Sequence, residues 1–299
     1  MNSKPNITTI TLSLFLVLSL FSSKQAFAEQ SISEKQTVAE AATDIKTQAN
    51  LYDDIVNQYR FQQKYDEAFA LIDSVCNVYE GTEQDRFWCS FKILKAELLN
   101  ETSKVGKAAE TLDHVEQKLK SSNNLSEEEF HETSASVLLT HSILQDDNVT
   151  NSNGDDNKIS YLMDALSHAK KTTQMELVQR INIYIGQHYQ LTQPDSAIFY
   201  FNKVLETTEK AQYKIIAKSG LSTLYLGTEE YEKAIKTCLV FKGQPEGSYN
   251  LANYLVTYNI LLYALNGSKD ARLDKVALAE SGYPSMEKLL LHIEETADS

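Results

Sequence analysis

Basic side chains are in short supply: 28 lysines and arginines stand against 41 aspartates and glutamates, a net charge of −13. Such a surface repels phosphate backbones and anionic lipid, which argues against nucleic-acid or lipid-surface binding. Glycine is sparse, with 10 in 299 residues, and none are arranged as a phosphate-binding loop or a Gly-x-Ser-x-Gly elbow. The six histidines, at 114, 131, 141, 168, 188 and 292, are scattered. His131-Glu132 lacks the second histidine of a zinc-protease helix, since Ala135 stands three residues after Glu132. The polar stretch Asp146 to Asn157 has the oxygen content of a calcium loop, but Val149 and Ser160 occupy its first and last ligand positions. These absences leave no catalytic constellation, and the expectation is a protein that is not an enzyme and has no metal and no cofactor. Three cysteines, Cys76, Cys89 and Cys238, make no metal-site pattern; a short bridge between Cys76 and Cys89 stays open, because sequence cannot fix connectivity.

Long apolar runs are missing with one exception. Lys4 supplies a positive start, Ile10 to Phe21 is an apolar run of about a dozen residues, and Ala26-Phe27-Ala28 is a small-x-small cleavage signature, so residues 1–28 read as a signal peptide. The run is short of the roughly 20 residues that cross a bilayer, although a retained anchor stays open. The expected destination is periplasmic or secreted, with no membrane span in the mature chain. Asn-x-Ser/Thr sequons at Asn100, Asn124, Asn148 and Asn266 would matter only in a host that glycosylates exported chains.

What fills the rest is helical hairpins. The stretch from Ile215 to Phe241 holds two apolar-periodic segments parted by Gly227 and Thr228, a gap so short that the helices must fold back on each other. Leu221 and Tyr225 mark one stripe; Ala234, Cys238 and Phe241, at i, i+4 and i+7, mark the other. Thr228 is expected to cap the second helix, with Glu229 and Glu230 at the positive end of its dipole. Similar pairs of stripes occur at Tyr52, Ile55, Tyr59 with Ala68, Ile72, Val75; at Phe91, Leu94, Leu98 with Ala108, Leu112, Val115; and at Ile185, Tyr189 with Ala197, Phe201, Val204. Pro194 suits the first position of a helix. The small residue recurs: Ala108 lies 40 positions after Ala68, and Ala234 lies 37 after Ala197. A further unit needs an insertion, with a helix from Phe130 to Leu144, a polar loop at 145–157 and a stripe of Ile159, Met163 and Leu166.

The segment from Lys64 to Ile72, with Tyr65 before an acidic pair and Ala68 at the crossing, resembles the tetratricopeptide repeat (TPR), as do Ile185, Gly186 and Tyr189. The resemblance implies an all-α chain: an α-solenoid of antiparallel helix hairpins wound as a right-handed superhelix. Residues 29–48 form a lead-in that turns helical near Thr37, 49–247 hold degenerate repeats, and 248–299 hold C-terminal capping helices. Within the cap, Tyr249 to Leu265 reads as a long apolar helix ended by Asn266-Gly267, followed by helices over Arg272 to Glu280 and Ser285 to Glu295. A solenoid needs such a cap because its last repeat would otherwise expose an apolar face.

In this family the first helix of each hairpin lines the concave side and docks peptides or proteins. Carried over, that groove would display Asp53, Asn57 and Arg60, then Arg180, Gln187 and Gln190, then Thr223. One subclass grips C-terminal carboxylates with a Lys and Asn clamp; Asn57 matches, but Asp53 stands in the lysine's place. The expected function is an exported scaffold or adaptor for a protein or peptide of unknown identity, in envelope signalling or assembly. Two alternatives stay open. One is a small-ligand receptor or enzyme with a pocket near the insertion loop and the C-terminal cap; the other is a self-associating structural protein. Tyr254 and Tyr258, four apart, suit core packing better than an exposed contact patch.

Overall fold

A computed structural model of the chain describes residues 32–145, 154–239, 261, 264–265 and 272–291. The signal-peptide segment 1–28, residues 146–153 of the insertion, Tyr254, Tyr258 and most of Tyr249 to Leu265 lie outside these. The described chain is all-α, with no strand. Its helices are α1 (Ile32–Ala41), α2 (Ile45–Phe61), α3 (Tyr65–Tyr79), α4 (Asp85–Glu101), α5 (Val105–Ser121), α6 (Glu127–Leu144) and α7 (Gly154–Ala169). They continue as α8 (Met175–Tyr189), α9 (Pro194–Thr207), α10 (Ala211–Gly227), α11 (Tyr231–Cys238) and α12 (Arg272–Ser281). Two compact units result, one up to Ile181 and one from Asn182.

In the first unit every helix packs against the next in sequence from α1 to α7, and α4 also reaches back to α2 and forward to α6. The stripes explain why. Ala108, Leu112 and Val115 on α5 are fully buried; their i, i+4, i+7 spacing puts them on one face, and burying three such side chains is worth several kcal/mol, about 25 cal/mol per Å². Ala68, Ile72 and Val75 do the same on α3. In the second unit α9 packs on α10, α10 on α11 and α11 on α12. There Ile183, Ala197, Phe201, Val204, Ala217 and Leu221 share one cluster.

Three of the turns between paired helices are the same object. Gln63, Ser103 and Glu229 each hold a left-handed φ, of 57°, 58° and 63°. Each turn makes the same two bonds: Gln63 N–H to Arg60 C=O with Lys64 N–H to Tyr59 C=O, Ser103 to Asn100 with Lys104 to Leu99, and Glu229 to Leu226 with Glu230 to Tyr225. This is the Schellman arrangement, which satisfies the last carbonyls of the first helix. Five residues after each left-handed residue comes the buried alanine, at Ala68, Ala108 and Ala234, so the turn sets where the second helix crosses its neighbour. A left-handed L-residue costs roughly 1–2 kcal/mol, part of which glycine returns through its freer unfolded state. Gln63→Gly or Ser103→Gly should therefore raise stability by about 0.5–1 kcal/mol each, read as a higher thermal midpoint; an unchanged or lower one would contradict the turn geometry.

Several local expectations are corrected. The lead-in is helical from Ile32, not from Thr37, and breaks before α2, where Asp44 caps the helix by accepting the Thr47 N–H at 2.8 Å. Thr228 does not cap α11. It ends α10, donating its hydroxyl to the Leu224 and Tyr225 carbonyls at 3.3 and 3.2 Å, because the left-handed Glu229 intervenes and Glu230 takes the N-cap position. The polar insertion is shorter than 145–157, since α7 is already under way at Gly154. On α7 the buried apolar residues are Leu162, Ala165, Leu166 and Ala169, while Met163 is 43% exposed; the true stripe keeps a small residue, Ala165, in its middle. Tyr225 is only partly buried, so truncating it would cost less than the loss of a buried aromatic. Cys76 and Cys89 are both buried and unbonded. They belong to different apolar clusters, and burial pushes their thiols up to about 11 and about 12.

Candidate partner-binding face

On α2, Asp53, Asn57 and Arg60 follow the spacing i, i+4, i+7 and share a face. Asn57 donates its side-chain N–H to Asp53 at 3.0 Å. Arg60 reaches across to α4, where its Nε donates to Glu101 Oε2 at 3.0 Å and its Nη2 also meets Glu101. Its Nη1 lies 3.6 Å from Glu97 Oε2. The other oxygen of Glu97 lies 3.7 Å from Arg180 Nη2, on α8. One carboxylate is thus flanked by two guanidiniums that stand 120 positions apart in sequence. A neighbouring set continues the pattern: Arg86 on α4 approaches Glu129 at 3.5 Å and Glu132 at 3.2 Å on α6.

Four of the seven residues expected in the groove, Asp53, Asn57, Arg60 and Arg180, therefore lie in the first unit, and Glu97 joins the two arginines among them. The other three belong to the second unit. Gln190 is buried and donates its amide to the Gly220 carbonyl at 3.3 Å. Thr223 is buried and donates its hydroxyl to the Ser219 carbonyl at 2.9 Å. Neither is offered to solvent, because the helix face that the family pattern assigns to the groove is here turned into packing. Gln187 is partly buried, and its amide nitrogen meets no protein acceptor among the described residues.

Asp53 is open to water, yet protein closes in around it. Its carboxyl is pushed up to about 6, first by burial and then by the charges of Asp54 and Glu97, against the pull of Arg60 and Asn57. An acid whose folded pKa is raised loses stability as pH rises from its unfolded value, about 3.9, through the folded one. Asp53→Asn should accordingly stabilise the protein above pH 6, by no more than about 1 kcal/mol once solvent screening is allowed for, and should be neutral below pH 4. Urea midpoints of parent and variant at the two pH extremes measure this; a gap at acid pH would contradict the assigned cause.

The sequence alone does not single out Glu97 and Glu101. A signal for Glu97 existed. It stands 40 positions after Asn57, the same interval that separates Ala68 from Ala108, so the repeat offset carries one groove position onto the other.

No family model matches the chain, and no curated protein is significantly similar to it.

Proposed function

We propose that the chain is an exported, non-catalytic scaffold: a TPR-like solenoid with a right-handed superhelical course, capped at its C-terminus, which docks a protein or peptide segment on the first-helix face of its N-terminal hairpins. The observation that carries this reading is the convergence of Arg60 and Arg180 on Glu97 at separations of 3.6 and 3.7 Å. Ion pairs of that length that water still reaches contribute about 0–1 kcal/mol. A carboxylate from a partner can displace Glu97 at little cost, and Asp53, Asn57 and Glu101 stand beside it to hydrogen-bond a backbone or pair with a cation. The equivalent turns support the repeat reading, since one hairpin geometry recurs in both units. The signal-like pattern of residues 1–28 supports a periplasmic or secreted destination.

The test is recovery of a partner from envelope extract by the parent and by an Arg60→Gln, Arg180→Gln double variant. Glutamine is the right replacement here, because glutamate would crowd Glu97 and Glu101 and disturb the fold. A partner retained by the parent and lost by the variant, with unchanged helicity of the variant, supports the reading. Equal recovery by both, or recovery by neither, rejects this face.

A further inference from the structure

His131 and His168, scattered in sequence, meet in the fold. His131 lies in the second turn of α6 and His168 in the last turn of α7, and their Nδ1 atoms are 2.9 Å apart. The rings are steeply inclined, at 63°, with centroids 4.9 Å apart. Phe130 flanks both, edge-on to His131 at 5.5 Å and tilted to His168 at 6.1 Å. Both imidazoles are half-buried, so that water still reaches them. A hydrogen bond between two Nδ1 atoms needs one ring with its proton on Nδ1 and the other with its proton on Nε2.

We infer that the His131–His168 pair is a binding site for a transition-metal ion that favours tetragonal coordination, Cu(II) before Ni(II). The spacing of this hydrogen-bonded pair is compatible with adjacent corners of a tetragonal site. With metal–nitrogen bonds of about 2.0–2.1 Å, adjacent corners of a square plane or octahedron lie about 2.9 Å apart, whereas tetrahedral corners lie about 3.3 Å apart. The two nitrogens already stand at the shorter distance. What must change is direction: each ring turns about χ2, a soft torsion, until both Nδ1 lone pairs converge on one point beside the line that joins them. The ring carrying its proton on Nδ1 passes it to its own Nε2 through water, so the neutral pair takes up the ion without net proton release.

The surroundings suit such an ion. Asp164, one turn before His168 on the same helix, and Glu132, beside His131, add negative potential, while Lys171 and Arg86 oppose it. Glu132 is held by Arg86 at 3.2 Å. No group of three or more candidate ligands occurs among the described residues, so the protein supplies two nitrogens and water fills the remaining positions. Imidazole suits copper, nickel and zinc, and the general order of divalent affinities puts Cu(II) first.

The experiment is titration of the full-length protein with copper sulfate, followed by calorimetry and by electron paramagnetic resonance, for the parent, His131→Ala, His168→Gln and the control His114→Ala, which alters an exposed histidine of α5. The parent and the control should bind one Cu(II) with the superhyperfine pattern of two nitrogen donors. Either pair variant should lose at least about tenfold in affinity, because even removing an outer partner of a metal ligand commonly costs that much, and should show no two-nitrogen pattern. His168→Gln keeps an amide to hydrogen-bond His131, so equal helicity of this variant and the parent separates lost ligation from lost folding. A parent spectrum with a single nitrogen donor, or pair variants that retain the parent's affinity, would overturn the assignment. Zinc chloride in place of copper should bind more weakly; tighter zinc binding would reject the tetragonal geometry.

Discussion

Phe201→Ala lowers the stability of the second unit by about 3–5 kcal/mol, and Gly220→Ala lowers it by about 1–3 kcal/mol although alanine favours helix over glycine by nearly 1 kcal/mol. The Phe201 ring is fully buried and is pinched between two glycines. A Cβ on Gly220 of α10 would come within 2.4 Å of its Cζ, and one on Gly186 of α8 within 2.9 Å of its Cε1. Neither contact can be relieved by moving the ring, since retreat from one glycine drives it toward the other helix. The pair of changes should be strongly non-additive: with the ring gone the atoms nearest the added methyl are gone too, so Phe201→Ala, Gly220→Ala should be no less stable than Phe201→Ala alone. Urea unfolding of the three variants decides the matter. Additive losses would mean that Phe201 and Gly220 do not share one space.

Removing Lys118 costs about 3 kcal/mol, the low end for breaking a buried ion pair, by leaving Asp85 without its counter-charge. Asp85 begins α4 and is 2% exposed. It is shielded by its immediate neighbours: Lys118 Nζ from α5 at 2.7 Å, the Ser122 hydroxyl at 2.6 Å and, more weakly, the Asn124 amide at 3.4 Å. Burial by itself would raise this carboxyl; hydrogen bonds from Lys118 and Ser122, with the charge of Lys118, outweigh it and hold the group below the usual carboxylate range. The sign then follows. A lowered folded pKa contributes stability that is complete above the unfolded value, about 3.9, and is lost as pH falls through the folded one. Asp85→Asn should therefore be less stable than the parent at neutral pH, and the gap should close in acid below the folded pKa. A gap that persists there would assign the loss to packing rather than charge.

The helices were legible because their stripes are local. Ala108, Leu112 and Val115 sit close in sequence and need only a helical period to meet on one face, and Pro194 announces the start of α9 where the structure has it. Turn chemistry was less visible. Gln63, Ser103 and Glu229 occupy a conformation that glycine usually marks, and none of these side chains advertises it. The same gap produced the misplaced cap at Thr228, whose hydroxyl suits either end of a helix. On α7 the insertion hid the phase, and a stripe through Met163 is as periodic as the buried one through Leu162 and Ala165. The ionic face was half legible: Asp53, Asn57 and Arg60 follow from one helix, whereas the bridge through Glu97 to Arg180 exists only once distant helices meet. Gln190 and Thr223 were misplaced because a family pattern fixes which residues share a face, while packing decides whether that face meets solvent.

The three thiols give the molecule built-in clocks. Cys76 lies in the cluster around α3, Cys89 in the cluster joining α4 to α5, and Cys238 in the cluster that holds α11 to α12. All three are buried and outside any disulfide among the described residues, and burial raises each thiol, so an alkylating reagent can react only when the surrounding helices part. The labelling rate at each cysteine, resolved by mass spectrometry of peptides, then times the opening of its own neighbourhood. A chain with one hidden thiol in each of three clusters can report which hairpin yields first without any introduced probe.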